Sequence, residues 1–376
     1  MTVYLDCNAT TPLEPSVRKA VLLYLTEEFG NEGSRTHDFG AKARQAVQRA
    51  RDQVAKVVKA ERDEVIFTSG ATEANNLAIL GLLQHGQDTN RRHIISTMIE
   101  HKAVLEPLAV AESRGFEVTL VPPTVDGWVE PERIQEALRP DTVLVSIMHV
   151  NNETGVIQPL PEISHFLADH PAFLHVDAAQ GFGKQIDTLQ DSRIDFISIS
   201  GHKIYAPKGI GALITRRRGF TRPPLTPLFF GGGQERGLRP GTLPVPLIVG
   251  LGLASEIALR DWKQRSEKCQ TYKKKILKAL ASLNPIFNCD LERTISHTIN
   301  LSFPGLDSEA LMVALKNEIA ISNGSACTSH SYQPSHVLKA MRVPDEIIRG
   351  AVRISWCHLT EDIDWTRVTE IIQRFI

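Results

Sequence analysis

The chain has 376 residues, of which 42% are hydrophobic and 23% are charged, and its formal net charge is −1. This length exceeds the usual size of a single hydrophobic core, so two domains are expected. The balanced charge provides no global field that would attract nucleic acid or an anionic membrane, and we expect no direct nucleic-acid binding.

The five cysteines form no recognisable framework. They are widely scattered, with no CxxC pair and no cluster at zinc-ligand spacing: Cys7, Cys269, Cys289, Cys327 and Cys357. Such a set favours a reducing compartment and argues against a structural metal. The start, MTVYLDCNATTP, lacks the features of a targeting peptide, and no apolar run reaches membrane-spanning length. We therefore expect a cytoplasmic protein with no metal and no membrane partner.

Between about residues 40 and 245, amphipathic helices alternate with short apolar runs. This pattern is typical of an α/β fold with a mostly parallel sheet. Six or seven strands are predicted, together with a helix at 72–83; the apolar runs are 65–69, 93–98, 117–121, 142–150, 173–178, 196–200 and 210–215. The three arginines at 216–218 are predicted to lie in a solvated loop after the last of these strands.

The second half of the chain predicts a smaller α+β domain. The stretch 247–283 predicts one long helix, or two helices end to end, that leads into it. Strands predicted at 297–303, 318–324 and 350–356 alternate with helices predicted at 306–316 and 364–376. The predicted boundaries are 16–257 for the large domain, and 1–15 together with 258–376 for the small one.

Two residues at strand ends are candidates for chemistry. Lys203 follows an apolar strand in SISGHKIYAPKGIGA, and ligands of open α/β sheets collect outside the carboxyl ends of strands. It could form a Schiff base with an aldehyde cofactor, although a surface lysine in a loop is the commoner case. Asp177 ends the preceding strand and, if buried, needs a cationic partner such as a protonated pyridine nitrogen. A helix-capping aspartate is the alternative.

Three further strand ends carry polar residues. In SGATEANN, Ala71 and Thr72 open a predicted helix whose amides could bind a phosphate, although threonine is also a common helix N-cap. His101 and Asn152 each follow another predicted strand. Packing alone does not readily explain all five strand-end residues, which are Thr72, His101, Asn152, Asp177 and Lys203.

The order of these motifs resembles the cysteine desulfurases of the NifS/IscS type, within the class V aminotransferase fold. The similarity rests on SGATE, EH, NNETG, HVDAAQ, SGHK, RPGT and SNGSACTS, and extends from YLDCNATTP to RISW. It implies a PLP-dependent transferase fold of the aspartate aminotransferase type, with a seven-stranded, mostly parallel sheet in the large domain. It also implies a homodimer that uses pyridoxal 5'-phosphate to convert L-cysteine to L-alanine.

The resemblance implies a role for each motif residue. Lys203 would hold the cofactor and later serve as acid and base, while His101 would stack on the ring and help to deprotonate the substrate thiol. Asp177 would pair with the ring nitrogen, and Gln180 with the phenolic oxygen. The phosphate would be bound by Ala71, Thr72, Ser200 and His202, with Thr242 from the second subunit, and the substrate by Asn8, Asn152 and Arg353.

Cys327 lies in a polar, Gly/Ser-rich segment, SNGSACTSHSYQPSHVL, that predicts an exposed thiol. A lone cysteine is more often an inert small apolar residue, but exposed thiols that reach a cationic site are reactive. The resemblance implies that Cys327 receives the sulfur as a persulfide and passes it to an acceptor protein.

Two segments depart from the family pattern. GNEGSRTH (30–37) replaces the usual Asn-Pro-Ser-Ser-x-His, and RISWCH ends in Cys357 and His358 where Gly and Arg are usual. With DCNATTP and SRTHDFG, the chain is similar to DndA-type desulfurases that feed DNA phosphorothioation. The acceptor would then be a DNA-modification protein; otherwise the sulfur would serve an iron-sulfur scaffold or tRNA thiolation.

Other functions remain open from the sequence. A selenocysteine lyase or an aminotransferase could use the same fold, and a non-catalytic sulfur-carrier scaffold could retain it for docking. A nucleotide-binding enzyme is disfavoured, because no glycine cluster opens a helix after the first strand and no GxxxxGK[ST] motif occurs.

Overall fold

The computed structural model describes residues 2–323 and 334–375. Within them, the first six strands are β1 (Val3–Tyr4), β2 (Val65–Thr68), β3 (His93–Thr97), β4 (Glu117–Val121), β5 (Thr142–Met148) and β6 (Phe173–Asp177). The remaining strands are β7 (Phe196–Ser200), β8 (Gly211–Thr215), β9 (Ile286–Phe287), β10 (Thr298–Ser302), β11 (Ile319–Ala320) and β12 (Ala351–Ser355).

The helices cover the sheets and connect the strands. The first seven are α1 (Pro15–Thr26), α2 (Asp38–Val57), α3 (Ala71–Leu80), α4 (Leu83–Asp88), α5 (Lys102–Ser113), α6 (Pro131–Ala137) and α7 (Leu160–Phe166). The others are α8 (Val245–Leu280), α9 (Ser308–Leu315), α10 (His336–Ala340), α11 (Asp345–Arg349) and α12 (Trp365–Gln373). The helix predicted at 72–83 is thus two shorter helices.

The central sheet has the seven strands that the resemblance implies, in the order β2-β8-β7-β6-β5-β3-β4. Strands β4, β3, β5, β6 and β7 are mutually parallel, and β8 is antiparallel to both of its neighbours. Strands β3, β5, β6 and β7 are buried at every position, as expected for strands covered on both faces. The predicted α/β fold is confirmed.

Helix α8 is a single helix of 36 residues that ends in a 3-10 turn at 281–283, which confirms the prediction of a long connecting helix. It packs closely on α2: a Cβ added to Gly252 would lie 2.6 Å from the Cα of Ala50. Two small residues therefore permit this approach, since any larger side chain would force the helices apart. Of the helices that the structure describes, none has the length and apolarity needed to cross a membrane.

The N-terminal residues pack with the second half of the chain. β1 pairs in parallel with β11, and Asp6 forms a bridge with Ser355 at the end of β12. Strands β12, β10 and β9 form a separate antiparallel sheet, and Leu5 belongs to the hydrophobic cluster behind it. This arrangement fits a small domain built from both ends of the chain, and the boundaries 1–15 with 258–376 stay a prediction.

The arginines at 216–218 follow β8, as predicted, but the prediction that they are solvated is wrong for Arg216. Arg216 is only 6% exposed and donates to the backbone carbonyls of Leu189, Val58 and Asp191. Arg217 is half-buried, and Arg218 is exposed but makes two hydrogen bonds to the buried carboxylate of Asp195. Arg216 is buried because its guanidinium satisfies carbonyls that would otherwise lack partners.

One buried ion pair ties α2 to the central sheet. The guanidinium of Arg51 binds the carboxylate of Glu235, which also accepts from the backbone N–H of Phe67 at 2.7 Å. We expect Glu235→Gln to lower the free energy of unfolding by about 3 kcal/mol, because it leaves the buried charge of Arg51 unpaired. Thermal unfolding would measure this. Glu28→Gln, which breaks the more exposed pair with Lys42, is the matched control and should change the midpoint little.

Candidate active site

A cavity of about 520 Å³ lies at the carboxyl edge of the central sheet. The structure brings to it nearly all of the residues that the sequence analysis selected: Asn8, Ala71, Thr72, His101, Asn152, Asp177, Gln180, Ser200, His202, Lys203 and Arg353. Their roles stay predictions, but their convergence does not depend on any assigned role.

Strand direction explains this convergence. β3, β5, β6 and β7 are parallel, so their carboxyl ends lie at one edge of the sheet. β2 has the same direction, because it and β7 are both antiparallel to β8. The direction of the connections also reverses between β3 and β5, which are neighbours in the sheet. From β3 the chain passes to β4 on one side, and from β4 it returns to β5 on the other side of β3. Ligands of open α/β sheets bind at such switch points.

Lys203 ends a short 3-10 turn, 201–203, that follows β7 directly. Its Nζ donates to the backbone oxygens of Asn8 and Ala9, the second at 2.8 Å. Gln180 donates to the same oxygen of Asn8 at 2.9 Å. The N-terminal segment therefore holds the lysine amine at the cavity by main-chain contacts, independently of the side chains at residues 8 and 9.

Asp177 lies at the floor of the cavity and is 6% exposed. Its carboxylate accepts from the Nδ2 of Asn75 at 2.8 Å and from the backbone N–H of Ala179 at 2.9 Å. These two donors fix the orientation of the carboxylate. They are both neutral, so a cationic ligand group in the cavity would complete its partners.

His101 is the N-cap of α5, and its Nδ1 accepts from the backbone N–H of Ala103 at 3.0 Å. A backbone N–H can only donate, so the Nδ1 lone pair is used and the neutral ring carries its proton on Nε2. Burial, opposed by Asp177, lowers the pKa of His101, which keeps the ring neutral near pH 7.

The amino end of α3 forms the anion-binding side of the cavity. Gly70 is its N-cap and makes no side-chain cap, so the first backbone amides, at Ala71 and Thr72, are available to a ligand. Ser200 and His202 face the same region from β7 and the turn after it. Burial, together with Lys203 and Lys208, lowers the pKa of His202 to about 4.

Arg353 is the buried cation on the opposite side, and it is 1% exposed. Its Nη2 donates to Asp6 at 2.6 Å and its Nη1 to the backbone oxygen of Asn152 at 2.9 Å. The amide of Asn8 donates to the same oxygen at 3.1 Å. The three residues that were expected to bind substrate thus form one hydrogen-bonded group.

Two of the predicted residues lie elsewhere. Thr242 is exposed and does not line the cavity of this chain, which is the position expected of a residue that serves a second subunit. Cys327 lies outside the described residues, so the prediction for it stays as the sequence left it.

The sequence analysis missed several polar residues that support the site. Asn75 and Glu153 were within quoted motifs, and the helical spacing of Asn75 from Thr72 placed it on the same side of α3. Glu153 accepts from the hydroxyl of Ser335 at 2.5 Å, with both residues buried. Asp6, which pairs with Arg353, gave no signal beyond its place in YLDCNATTP.

A buried thiol pair lies beside the site. The thiols of Cys7 and Cys357 are in hydrogen-bonding contact, and this contact lowers the pKa of Cys357 and raises that of Cys7. Nearby, burial lowers the pKa of Lys184 to about 8, and its Nζ lies 3.3 Å from the Nε2 of His297. Sequence reasoning could not pair these cysteines, because they are 350 positions apart.

The family model for class-V aminotransferases matches residues 3–366. The chain belongs to this family. The cysteine desulfurase IscS of Methylococcus capsulatus is 45% identical over 97% of this chain and 90% of that protein. Among solved structures, DndA from Streptomyces lividans is 51% identical, with a TM-score of 0.83 over 94% of this chain and 99% of that one. SspA in complex with cysteine is 37% identical, with a TM-score of 0.83 over 94% and 98%.

These matches place the chain in the cysteine desulfurase branch of the class-V aminotransferases and confirm the resemblance inferred from the motifs. Each of the two similar structures covers 94% of this chain, so the likeness is not confined to the central sheet.

A buried carboxyl behind the cavity predicts a pH effect on stability. Burial raises the pKa of Glu100 to about 8, and its Oε1 accepts from Thr97 and from the backbone N–H of Met148. The folded protein therefore keeps the Glu100 proton up to about pH 8, whereas the unfolded chain loses it above the ordinary pKa of a glutamate. This contribution to stability is complete below that ordinary pKa and is lost as the pH rises from there through about 8.

We expect Glu100→Gln, which resembles the protonated carboxyl in shape, to remove this loss. We would measure the unfolding midpoint of the variant minus that of the wild type at each pH. This difference should be more positive at pH 8 than at pH 5.5. A constant difference between the two pH values would show that Glu100 is ionised in the folded protein. Glu112→Gln, at an exposed position on α5, is the control.

Proposed function

We propose that this chain is a pyridoxal-phosphate-dependent cysteine desulfurase that converts L-cysteine to L-alanine and takes the sulfur onto Cys327 as a persulfide. The observation that carries this proposal is the cavity itself. It combines a strand-end lysine, a buried carboxylate, a helix amino end and a buried arginine. The similarity to the cysteine desulfurase IscS and to SspA in complex with cysteine supports the same conclusion.

The residues of the cavity fit this cofactor. An amine, an acidic floor and an anion-binding helix end match an aldehyde, a pyridine nitrogen and a phosphate. In addition, the Oε1 of Gln180 and the Oδ1 of Asn75 are buried with no partner among the described residues. Buried polar atoms rarely stay unpaired, so these atoms favour a polar ligand in the cavity. When bound, the cofactor supplies an electron-withdrawing ring that stabilises negative charge on substrate carbon.

Each group has a function in this proposal. Lys203 would hold the cofactor through its aldehyde group and, with substrate present, would move protons at the substrate carbons. Asp177, fixed by Asn75, would pair with the ring nitrogen. The amides of Ala71 and Thr72 would bind the phosphate, joined by Ser200 and His202, and His101 would stack against the ring.

Arg353 binds the substrate carboxylate in this proposal. Its guanidinium is already held by Asp6 and the backbone of Asn152, so it needs little reorganisation when substrate arrives. A guanidinium also matches a carboxylate geometrically, which favours an α-amino acid over a neutral amine.

We propose a homodimer in which Thr242 contributes to the phosphate site of the partner subunit. The segment that carries Thr242 also exposes three aromatic side chains: Phe220, Phe229 and Phe230. Exposed aromatic groups are typical of contact surfaces, and a second copy would cover them.

The proposed destination of the sulfur is a DNA-modification protein for phosphorothioation. The 51% identity to DndA supports this assignment, and an iron-sulfur scaffold is the second candidate, favoured by the 45% identity to IscS. tRNA thiolation remains a further possible destination. We also propose that the protein acts in the cytoplasm, since none of the four described cysteines forms a disulfide.

Three other functions compete with this proposal. An aminotransferase or a selenocysteine lyase would use the same lysine and carboxylate but would not require Cys327 to act on L-cysteine. A non-catalytic sulfur-carrier scaffold would need neither the lysine nor the carboxylate. The intact set of Lys203, Asp177 and His101 argues against the scaffold.

The first test compares the wild type with Cys327→Ser. We expect both purified proteins to show the yellow absorbance of bound cofactor, but only the wild type to release alanine and sulfide from L-cysteine with a reductant. Cys269→Ser, which alters a buried thiol outside the cavity, is the control and should stay active. Equal turnover by Cys327→Ser would replace the desulfurase with a lyase or an aminotransferase, and a colourless protein would favour the scaffold.

A second test concerns substrate binding. Arg353→Gln removes a charged hydrogen-bond donor, so we expect KM for L-cysteine to rise by about 100-fold, the equivalent of about 3 kcal/mol. Cofactor absorbance should be retained, which distinguishes lost substrate binding from misfolding. Arg265→Gln, at an arginine paired with Glu14 outside the cavity, is the matched control. A KM close to that of the wild type would show that another group binds the carboxylate.

A further inference from the structure

The thiols of Cys7 and Cys357 form a small buried cluster that the proposed reaction does not use. The two residues are 1% and 5% exposed, and the side chain of Tyr205 packs with them. Neither cysteine lines the cavity, and none of the four described cysteines forms a disulfide. The two thiols are therefore reduced in this structure, and their direct contact places them where oxidation could join them.

The backbone segments that carry these thiols run side by side. The N–H of Cys7 donates to the carbonyl of Ser355 at 3.0 Å, and the N–H of Ser355 donates to the carbonyl of Leu5 at 2.8 Å. Asp6 and Ser355 form a parallel bridge. Strands paired in this way lie about 4.8 Å apart, within the range of roughly 4.4–6.8 Å between Cα atoms that a disulfide spans. A bond between the two sulfur atoms therefore requires little movement of the backbone.

The surroundings of Cys357 favour its thiolate, which is the form of a cysteine that reacts with an oxidant. The thiol of Cys7 donates a hydrogen bond to Cys357, and this bond lowers the pKa of Cys357. The hydroxyl of Thr360, 3.7 Å from the sulfur of Cys357, and the charge of Lys184 act in the same direction. The contact with Cys357, together with burial, raises the pKa of Cys7. The pair thus consists of a nucleophilic thiolate and a neutral thiol beside it.

Lys184 supplies the positive charge near the pair. Its Nζ lies 3.3 Å from the Nε2 of His297, and burial lowers the pKa of His297 well below its usual range, so that ring is neutral. Burial lowers the pKa of Lys184 to about 8, so most of this amine is still protonated at pH 7. In the part of the chain that the structure describes, the groups that oppose this effect of burial are thiols, those of Cys7, Cys357 and Cys269.

The other two described cysteines lack this arrangement. Burial raises the pKa of both Cys269 and Cys289 to about 12, so each is a neutral thiol at pH 7. The thiol of Cys289 donates to the carbonyl of Thr154, and Cys269 packs in the separate hydrophobic cluster behind the small sheet. Oxidation should therefore select the pair over these two thiols.

We propose that Cys7 and Cys357 form a site of oxidative modification, at which a hydroperoxide converts the two thiols to a disulfide. With hydrogen peroxide, the thiolate of Cys357 attacks one oxygen and the O–O bond breaks. This step leaves a sulfenic acid on Cys357 and a hydroxide, which takes up the proton of the former thiol to become water. The thiol of Cys7 then displaces a second water as the S–S bond forms. In sum, two thiols lose two electrons, and one peroxide is reduced to two molecules of water.

The disulfide would tie the N-terminal segment to the end of β12. Asn8 follows Cys7 directly, and its backbone oxygen accepts from both Lys203 and Gln180. The two cysteines are 350 positions apart, and a cross-link that closes a long loop stabilises the folded protein by restricting the unfolded chain. Oxidation thus clamps the segment that holds Lys203 at the cavity. This modification does not depend on the proposed desulfurase activity.

The experiment treats the holoenzyme with hydrogen peroxide, alkylates the remaining thiols under denaturing conditions and maps the peptides by mass spectrometry. We expect a cross-linked peptide that joins Cys7 to Cys357, lighter by two hydrogen atoms than the two reduced peptides together, and its disappearance with dithiothreitol. The midpoint of thermal unfolding should rise by about 4 °C on oxidation and return on reduction.

Three variants complete the test. Cys7→Ser and Cys357→Ser should each lose both the cross-link and the rise in the midpoint. Cys269→Ser, which removes another buried thiol, is the matched control and should keep both. A wild type in which Cys7 and Cys357 are still alkylated after peroxide, or in which either is linked to Cys269, would overturn the proposal. A cross-link without a rise in the midpoint would overturn the clamping of the N-terminal segment. These measurements need no turnover, so an enzyme that forms no alanine would refute the proposed function and not this modification.

Discussion

The parallel alignment of β3, β5, β6 and β7 is the constraint on which the site depends. Parallel strands must return by a crossover, so every carboxyl end is followed by a loop on the same side of the sheet. The residues after β3, β5, β6 and β7 therefore meet without being near one another in sequence. The buried, apolar strands supply rigidity, and the loops that follow them supply chemistry.

Burial of charge imposes the second layer of organisation. Asp177, Arg353 and Glu100 are all nearly inaccessible, and the protein handles each differently. Arg353 has an anion in Asp6, Glu100 holds a proton, and Asp177 has only neutral hydrogen-bond donors among the residues that the structure describes. Of these three groups, Asp177 is thus the one whose charge remains to be matched, and it faces the cavity. The carboxylate that a cationic ligand group could pair with therefore lies in the cavity where a ligand would bind.

Much of this could be predicted from the sequence. Short apolar runs between helical segments predicted six or seven strands. Polar residues at or just after the strand ends, such as Asp177 and Lys203, could be assigned to one edge because direction is shared in a parallel sheet. The long helix α8 was predicted by continuous helical spacing. These features are local, or follow from topology, and are therefore readable from a pattern.

What could not be predicted depends on pairs that are distant in sequence. The contact of Cys7 with Cys357, and that of Asp6 with Arg353, arises from the docking of the N-terminal strand, which no local pattern encodes. The burial of Arg216 was misjudged because composition alone suggested a solvated charge run. Likewise, the tautomer of His101 follows from a single backbone partner, the N–H of Ala103, which only the folded structure reveals.

The docking of β1 on β11 also bears on how the protein is made. Asn8 and Asp6 are synthesised well before their partners Lys203 and Arg353. Strand β1 must wait for more than 300 further residues of synthesis before it can pair with β11 at Ile319–Ala320. Contacts of such long sequence separation form late and slow folding. The nascent chain therefore can complete its central sheet before β1 has docked, and the cavity at the carboxyl edge of that sheet acquires its full lining only afterwards.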